Sequence, residues 1–164
     1  MKFKFLSGLS LLFTLWPALA DTSIKPQSAY LLPHAEKSVL TDLVRVSADK
    51  FVAAGERGHI LLSQDGKQWR QSPTPLQSGL NSVFFVNDTR GWAVGHDASI
   101  IASADGGQTW QLQQFLPELD KPLFDVYFTD AEHGFAVGAY GLFYRTSNGG
   151  TSWTQEFHAE LAND

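Results

Sequence analysis

Gly55, Gly95 and Gly138 follow one another at intervals of 40 and 43 residues, and each sits in the same frame of neighbours. Leu40, Leu80 and Leu123 lie fifteen residues before these glycines, and Ser63, Ser103 and Thr146 lie eight residues after them. Each Ser or Thr opens a turn that ends on a tryptophan: Ser63-Gln-Asp-Gly-Lys-Gln-Trp69, Ser103-Ala-Asp-Gly-Gly-Gln-Thr-Trp110 and Thr146-Ser-Asn-Gly-Gly-Thr-Ser-Trp153. One supersecondary unit is thus present three times. A period of about 40 to 50 residues belongs to propeller blades and to some helical repeats.

The residues choose the blade. Repeat one carries Leu43-Val-Arg-Val46, Lys50-Phe-Val-Ala-Ala54, His59-Ile-Leu-Leu62 and Gln68-Trp-Arg-Gln71, four short runs rich in β-formers and separated by turn residues. Repeat two has Ser82–Val86, Gly91–Val94, Ser99–Ala102 and Thr109–Leu112; repeat three has Asp125–Phe128, Gly134–Val137, Leu142–Arg145 and Ser152–Gln155. The links within a repeat are too short for a helix, so consecutive strands pair antiparallel. The fold expected is all-β: a propeller of four-stranded antiparallel blades, of which about three are present, at about 40–72, 80–113 and 123–156. Between them, 72–79 and 113–122 read as inter-blade loops, 21–39 as a lead-in with a candidate short strand at Ala29 to Leu32, and 158–164 as a tail.

The first twenty residues have another character. Met1, Lys2 and Lys4 precede an apolar run from Phe5 to Trp16, and Ala18-Leu-Ala20 supplies small residues before Asp21. That is the layout of a secretory signal peptide cleaved after Ala20, and its apolar run is shorter than the roughly 20 residues of a membrane span. The expectation is a periplasmic or secreted protein with no transmembrane segment after cleavage. Cleavage leaves ten basic and seventeen acidic residues, a net charge of −7, with none of the basic stripe that a nucleic-acid partner requires. With no cysteine, an exported domain depends on its core, and 13% aromatic residues make that core feasible.

The repeated turn has a structural explanation at every position. Asp65, Asp105 and Asn148 can accept hydrogen bonds from backbone N–H groups just downstream, and Gly66, Gly107 and Gly150 supply the positive φ of a reversal. Trp69, Trp110 and Trp153 then fall on the next strand and cover the turn. On these residues, with Ser63, Ser103 and Thr146, the chain resembles the Asp-box (BNR) repeats of sialidases, sortilin-type receptors and photosystem II stability/assembly factors. The elements Ala54-Gly-Glu-Arg-Gly-His-Ile60, Val94-Gly-His-Asp-Ala-Ser-Ile100 and Val137-Gly-Ala-Tyr-Gly-Leu-Phe143 are most similar to the last group. Covering residues 40 to 155, the resemblance implies an exported, non-enzymatic propeller that binds a protein partner and assists a membrane or envelope complex. It leaves open whether the setting is photosynthesis.

In a four-stranded meander the turn between strands two and three lies at the opposite end from the Asp box. That end holds Glu56 and Arg57, His96 and Asp97, and Tyr140, which are the candidate partner-binding residues. The alternative function is a glycan-binding or sialidase-type module. A sialidase needs clustered arginines, a tyrosine nucleophile and carboxylates; here only Tyr127 near Asp125 invites the comparison, and no three arginines share a blade position. His34, His59, His96, His133 and His158 fall at unrelated phases, so no metal ligand set is indicated, and no cofactor motif is present. Propellers close with about four to eight blades. Three blades therefore imply further blades in a longer protein, or self-association.

Overall fold

The computed structural model describes residues 24–158, so the signal peptide expected at 1–20 and all but the first residue of the tail lie outside the described residues. Twelve strands form three four-stranded antiparallel sheets, each ordered as in the chain. The first comprises β1 (Leu40–Arg45), β2 (Phe51–Gly55), β3 (Ile60–Ser63) and β4 (Trp69–Ser72). The second comprises β5 (Leu80–Phe85), β6 (Gly91–Gly95), β7 (Ile100–Ser103) and β8 (Gln111–Gln114). The third comprises β9 (Leu123–Phe128), β10 (Gly134–Gly138), β11 (Phe143–Thr146) and β12 (Thr154–Gln155). The described residues therefore form three blades of an all-β, incomplete propeller.

The framing glycines owe their place to close backbone approach. A Cβ on Gly55, Gly95 or Gly138 would run into the carbonyl oxygen of Val39, Gly79 or Pro122, the residue just before the innermost strand of the same blade. Their neighbours use those same carbonyls: the amides of Glu56, His96 and Ala139 donate to Val39, Gly79 and Pro122 at 3.0, 2.9 and 3.0 Å. Each innermost strand is thereby tied to the turn beyond the second strand.

Alternation along the strands gives each blade two apolar faces. One face of the first blade (Val52, Ala54, Ile60, Leu62) packs with Leu76 against Leu80, Val83, Ala93, Ile101 and Trp110 of the second. The other face of the second blade (Trp92, Val94, Ile100) packs against Leu123, Val126, Phe128, Ala136 and Tyr144 of the third. At this second junction Trp92 stacks on Phe128 at 3.4 Å between ring centroids, and Trp153 meets Phe128 edge-on at 5.8 Å.

The segment before the first blade forms no strand at Ala29 to Leu32. Its polar groups are satisfied across the outer strand and the following loop instead: the Ala29 amide donates to Thr74 O at 3.1 Å, Leu32 N to Gln71 Oε1 at 2.8 Å and Gln71 Nε2 to Tyr30 O at 3.0 Å. Side-chain amides thus do part of the work of a ladder. A single 3-10 turn, Ala35–Lys37, then lays Ala35 against Ala53, Leu61 and Trp69 on the outward face of the first blade.

Candidate partner-binding rim

The two ends of the blades are built by different turns. At one end the Asp boxes close the hairpins between third and fourth strands. Asp65 Oδ1 accepts the amides of Lys67 and Gln68, both at 2.8 Å, while Ser63 Oγ accepts that of Gly66 at 2.9 Å. Asp105 accepts the amides of Gln108 and Thr109 and, at 2.6 Å, the Thr109 hydroxyl. Asn148 repeats the pattern, with Oδ1 accepting Ser152 N and Nδ2 donating to Ser152 Oγ. The first box is a residue shorter because it uses one left-handed glycine, Gly66, where the others use pairs, Gly106-Gly107 and Gly149-Gly150.

These bonds set the acidity of the box carboxyls. The Asp65 carboxyl lies below its ordinary pKa, chiefly through the amides of Gln68 and Lys67. Burial is the largest single influence on Asp105 and acts upward, but the hydroxyl and amide of Thr109, with Ser103 and Gln108, outweigh it and the net shift is downward. Every box carboxylate is thus occupied with its own turn.

At the other end, the turns between second and third strands share a different geometry. His59 N donates to Glu56 O at 3.0 Å, Ser99 N to His96 O at 3.1 Å and Leu142 N to Ala139 O at 3.1 Å. The two central residues of each turn have positive φ: Arg57 (57°) with Gly58, Asp97 (60°) with Ala98 (46°), and Tyr140 (54°) with Gly141. Two left-handed central residues make a type I′ turn, which suits the twist of a hairpin and normally takes Gly, Asn or Asp. Arginine and tyrosine are costly there, by about 1–2 kcal/mol.

Five residues were singled out on this rim from the sequence, and the structure gives them unequal freedom. Glu56 Oε1 accepts the Val39 amide at 3.3 Å, and Asp97 binds the hydroxyl of Ser78. Gly79 separates two of the turns: its added Cβ would lie 3.4 Å from His96 Cδ2 and 3.9 Å from Glu56 Cα. Tyr140 is 79% exposed, with Lys121 Nζ 5.6 Å from its ring centre. Arg57 forms no ion pair among the described residues and lines a cavity of about 360 Å³ with Tyr30, Leu32, His59 and Gln77. His59 is buried and held at 3.1 Å from Ser38 Oγ; burial pushes its pKa down. Ser78, Lys121 and His59 were not anticipated. Ser78 and Lys121 flank the loops that clasp the Asp97 turn, where Ala98 N donates to Lys121 O at 2.9 Å and Leu116 N to Asp97 O at 2.8 Å.

A second polar arrangement runs along the innermost strands. Ser82 Oγ lies 3.1 Å from Asp42 Oδ2 and 2.9 Å from Asp125 Oδ1, and Asp42 Oδ2 also accepts Val83 N at 2.8 Å. Asp42, Ser82 and Asp125 each stand two residues after the leucine that begins their blade. Tyr127, the one residue that suggested a glycosidase, packs its ring on Phe84 at 5.1 Å, while Asp125 Oδ1 takes Val126 N and Ser82.

Residues 61–121 match the family described as photosynthesis system II assembly factor YCF48. The described residues form three blades of a BNR-type β-propeller similar to that assembly factor. A solved structure of YCF48 bound to D1 peptide is 23% identical, with a TM-score of 0.63, over 81% of this chain and 44% of the other. YCF48 from Cyanidioschyzon merolae is 24% identical, with a TM-score of 0.58, over 73% and 40%. An ancestral GH74 enzyme is 16% identical, with a TM-score of 0.60, over 81% and 19%. At these identities the structural likeness is one of fold, and the chain spans less than half the length of each of these proteins. No curated protein matches the chain.

Proposed function

We propose that this YCF48-like chain is a non-enzymatic, exported propeller scaffold that binds a protein partner at the rim of its type I′ turns and assists the assembly or stability of a membrane or envelope complex. The observation that carries this reading is the left-handed backbone of Arg57, Asp97 and Tyr140 at one equivalent position of three blades. Strain kept in register at Arg57 and Tyr140, both bulky and exposed, points to a use for their side chains, because glycine would close the same turns at less cost. A similar propeller, YCF48, has been solved with a peptide bound, which supports a peptide segment as the ligand class. The Asp-box end is spent on its own hydrogen bonds.

The test is site-specific photocrosslinking in the envelope of the source cell. A benzoylphenylalanine at position 140 should give a protein adduct that disappears with Arg57→Ala and His96→Ala, while the same probe at Lys67, at the Asp-box end, should give none. Adducts from position 67 alone would move the interface to the opposite end. Export is tested by mass spectrometry of the isolated protein, whose first residue should be Asp21. A fluorogenic sialoside should show no turnover, since Tyr127 and Asp125 are engaged with separate neighbours.

A further inference from the structure

The third Asp box differs from the other two at its central acceptor. Where the first two blades carry Asp65 and Asp105, the third carries Asn148, and the residue after it is Gly149. This is the chain's single Asn-Gly pair, since Asn81, Asn87 and Asn163 precede Ser or Asp. Asn-Gly is the dipeptide in which a side-chain amide is lost most readily, because glycine carries no Cβ to hinder attack by its own nitrogen on the asparagine Cγ.

The closed box occupies the polar atoms that this reaction uses. Asn148 Oδ1 accepts the Thr146 hydroxyl at 2.9 Å and the Ser152 amide at 3.0 Å, and Nδ2 donates to Ser152 Oγ at 2.9 Å. The nucleophile of the reaction, Gly149 N, donates to Glu132 O at 2.9 Å. The second blade holds the same glycine through its carbonyl, to which Gln113 Nε2 and Trp92 Nε1 donate at 2.9 and 3.3 Å. Restraint is thinner on the strand that follows the box. There β12 pairs with β11 at two positions, whereas β4 pairs with β3 at four. Asn148 and Ser152 are both exposed. Fraying of β12 releases Ser152, and loss of the Gln113 bond releases Gly149; local openings of this kind cost far less than global unfolding.

We propose that Asn148 is a deamidation site gated by closure of the third Asp box. When the box opens, Gly149 N bonds to Asn148 Cγ and the Cγ–Nδ2 bond breaks. The Gly149 proton passes through solvent to the departing nitrogen, which leaves as ammonia. Water then opens the succinimide ring, so the sum is one water consumed and one ammonia released. Opening at Cγ gives an ordinary aspartate; opening at the α-carbonyl gives isoaspartate, whose main chain runs through Cβ. Asp105 shows how a box receives the first product: ahead of the same Gly-Gly pair, its Oδ1 takes the amides of Gln108 and Thr109 and its Oδ2 the Thr109 hydroxyl. With aspartate at 148 the Ser152 hydroxyl turns from acceptor to donor, and the other bonds stay. Isoaspartate has no such place, because its extra main-chain atom moves Gly150 N off Thr146 Oγ1, which it meets at 2.9 Å. The box keeps one product and rejects the other. The proposal stands on the Asp-box end alone and is independent of the partner-binding rim.

The purified full chain is held at mildly alkaline pH, the Asn148 peptide is followed by mass spectrometry, and isoaspartate is read by isoaspartyl methyltransferase labelling. Folded wild type should keep its amide at least about tenfold longer than the same chain in guanidinium chloride, because modification of an opened site follows the open population. Gln113→Ala, with its fold checked by circular dichroism, should lose the amide severalfold faster than wild type, with Asn87 as internal reference. Ser152→Ala, an exposed position that gives up only its hydroxyl contact with Asn148, should act in the same direction. Asn148→Asp should unfold at a denaturant midpoint equal to or above that of wild type, and isoaspartate-bearing chains at a lower one. Equal rates in folded and unfolded wild type, folded variants that react no faster than wild type, or a lowered midpoint for Asn148→Asp would each overturn the proposal.

Discussion

At the residue scale, the most telling positions are those where a side chain stays in spite of its backbone. Tyr140 lies at φ 54°, which asparagine adopts more readily than tyrosine. Tyr140→Asn should therefore raise stability by about 0.5–1 kcal/mol, read by urea unfolding, while weakening a partner crosslink from a benzoylphenylalanine placed at position 57. Unchanged or lower stability would remove the strain argument. Acid sensitivity also belongs here. The amides of Glu132 and His133, then the His133 ring, hold the Asp130 carboxyl at about 2 against an ordinary 3.8. A carboxyl depressed by folding stabilises above its ordinary pKa and loses that contribution as pH falls through the folded value. The thermal midpoint should thus fall between about pH 4 and pH 2, and Asp130→Asn should flatten part of that fall. An equal slope in the variant would assign the acid response to other carboxyls.

At the element scale, the strand pattern was legible because three copies fix each other's phase, and single strands of four to six residues would not have been. What stayed hidden was anything that depends on which residues sit opposite. In register, Arg45 faces Phe51, Phe85 faces Gly91 and Phe128 faces Gly134. The aromatic ring covers the glycine in the second and third blades, and in the first the aromatic has moved to the glycine position, with Arg45 at 5.9 Å from its ring. A Cβ on Gly134 would lie 2.6 Å from the Phe128 ring, which is itself stacked on Trp92 and has nowhere to go. Gly134→Ala should cost about 1–3 kcal/mol. Gly66→Ala would put its Cβ in ordinary contact with the Phe51 ring, at 3.7 Å, but at a left-handed φ, so its penalty should come from the backbone, about 1–2 kcal/mol. The type I′ turns are hidden for a similar reason: the sequence shows Arg57 and Tyr140 only as polar or aromatic turn residues, and their left-handed backbone is visible only in the structure.

At the scale of the whole molecule, the repeat dictated three blades and raised the question of closure, but not the answer. The pairing of Asp42, Ser82 and Asp125 could have been found by asking which polar residues share a phase, since all three follow their leading leucine by two. No composition or spacing argument shows that Asp125 Oδ2 has no partner among the described residues or that Leu40 is 41% exposed. Self-association through the end faces would make the thermal midpoint rise with protein concentration, because association adds to the stability of the folded state by mass action. A midpoint that stays constant over a hundredfold dilution would place all of the stability within one chain. The tryptophans make the same question visible by light. Trp110 sits in the first junction, Trp92 and Trp153 in the second, and Trp69 lines a hollow on the first blade with Leu40 and Leu43. Emission from Trp69 should shift to shorter wavelength when that hollow is filled, so the chain carries an optical gauge of whatever covers its first blade.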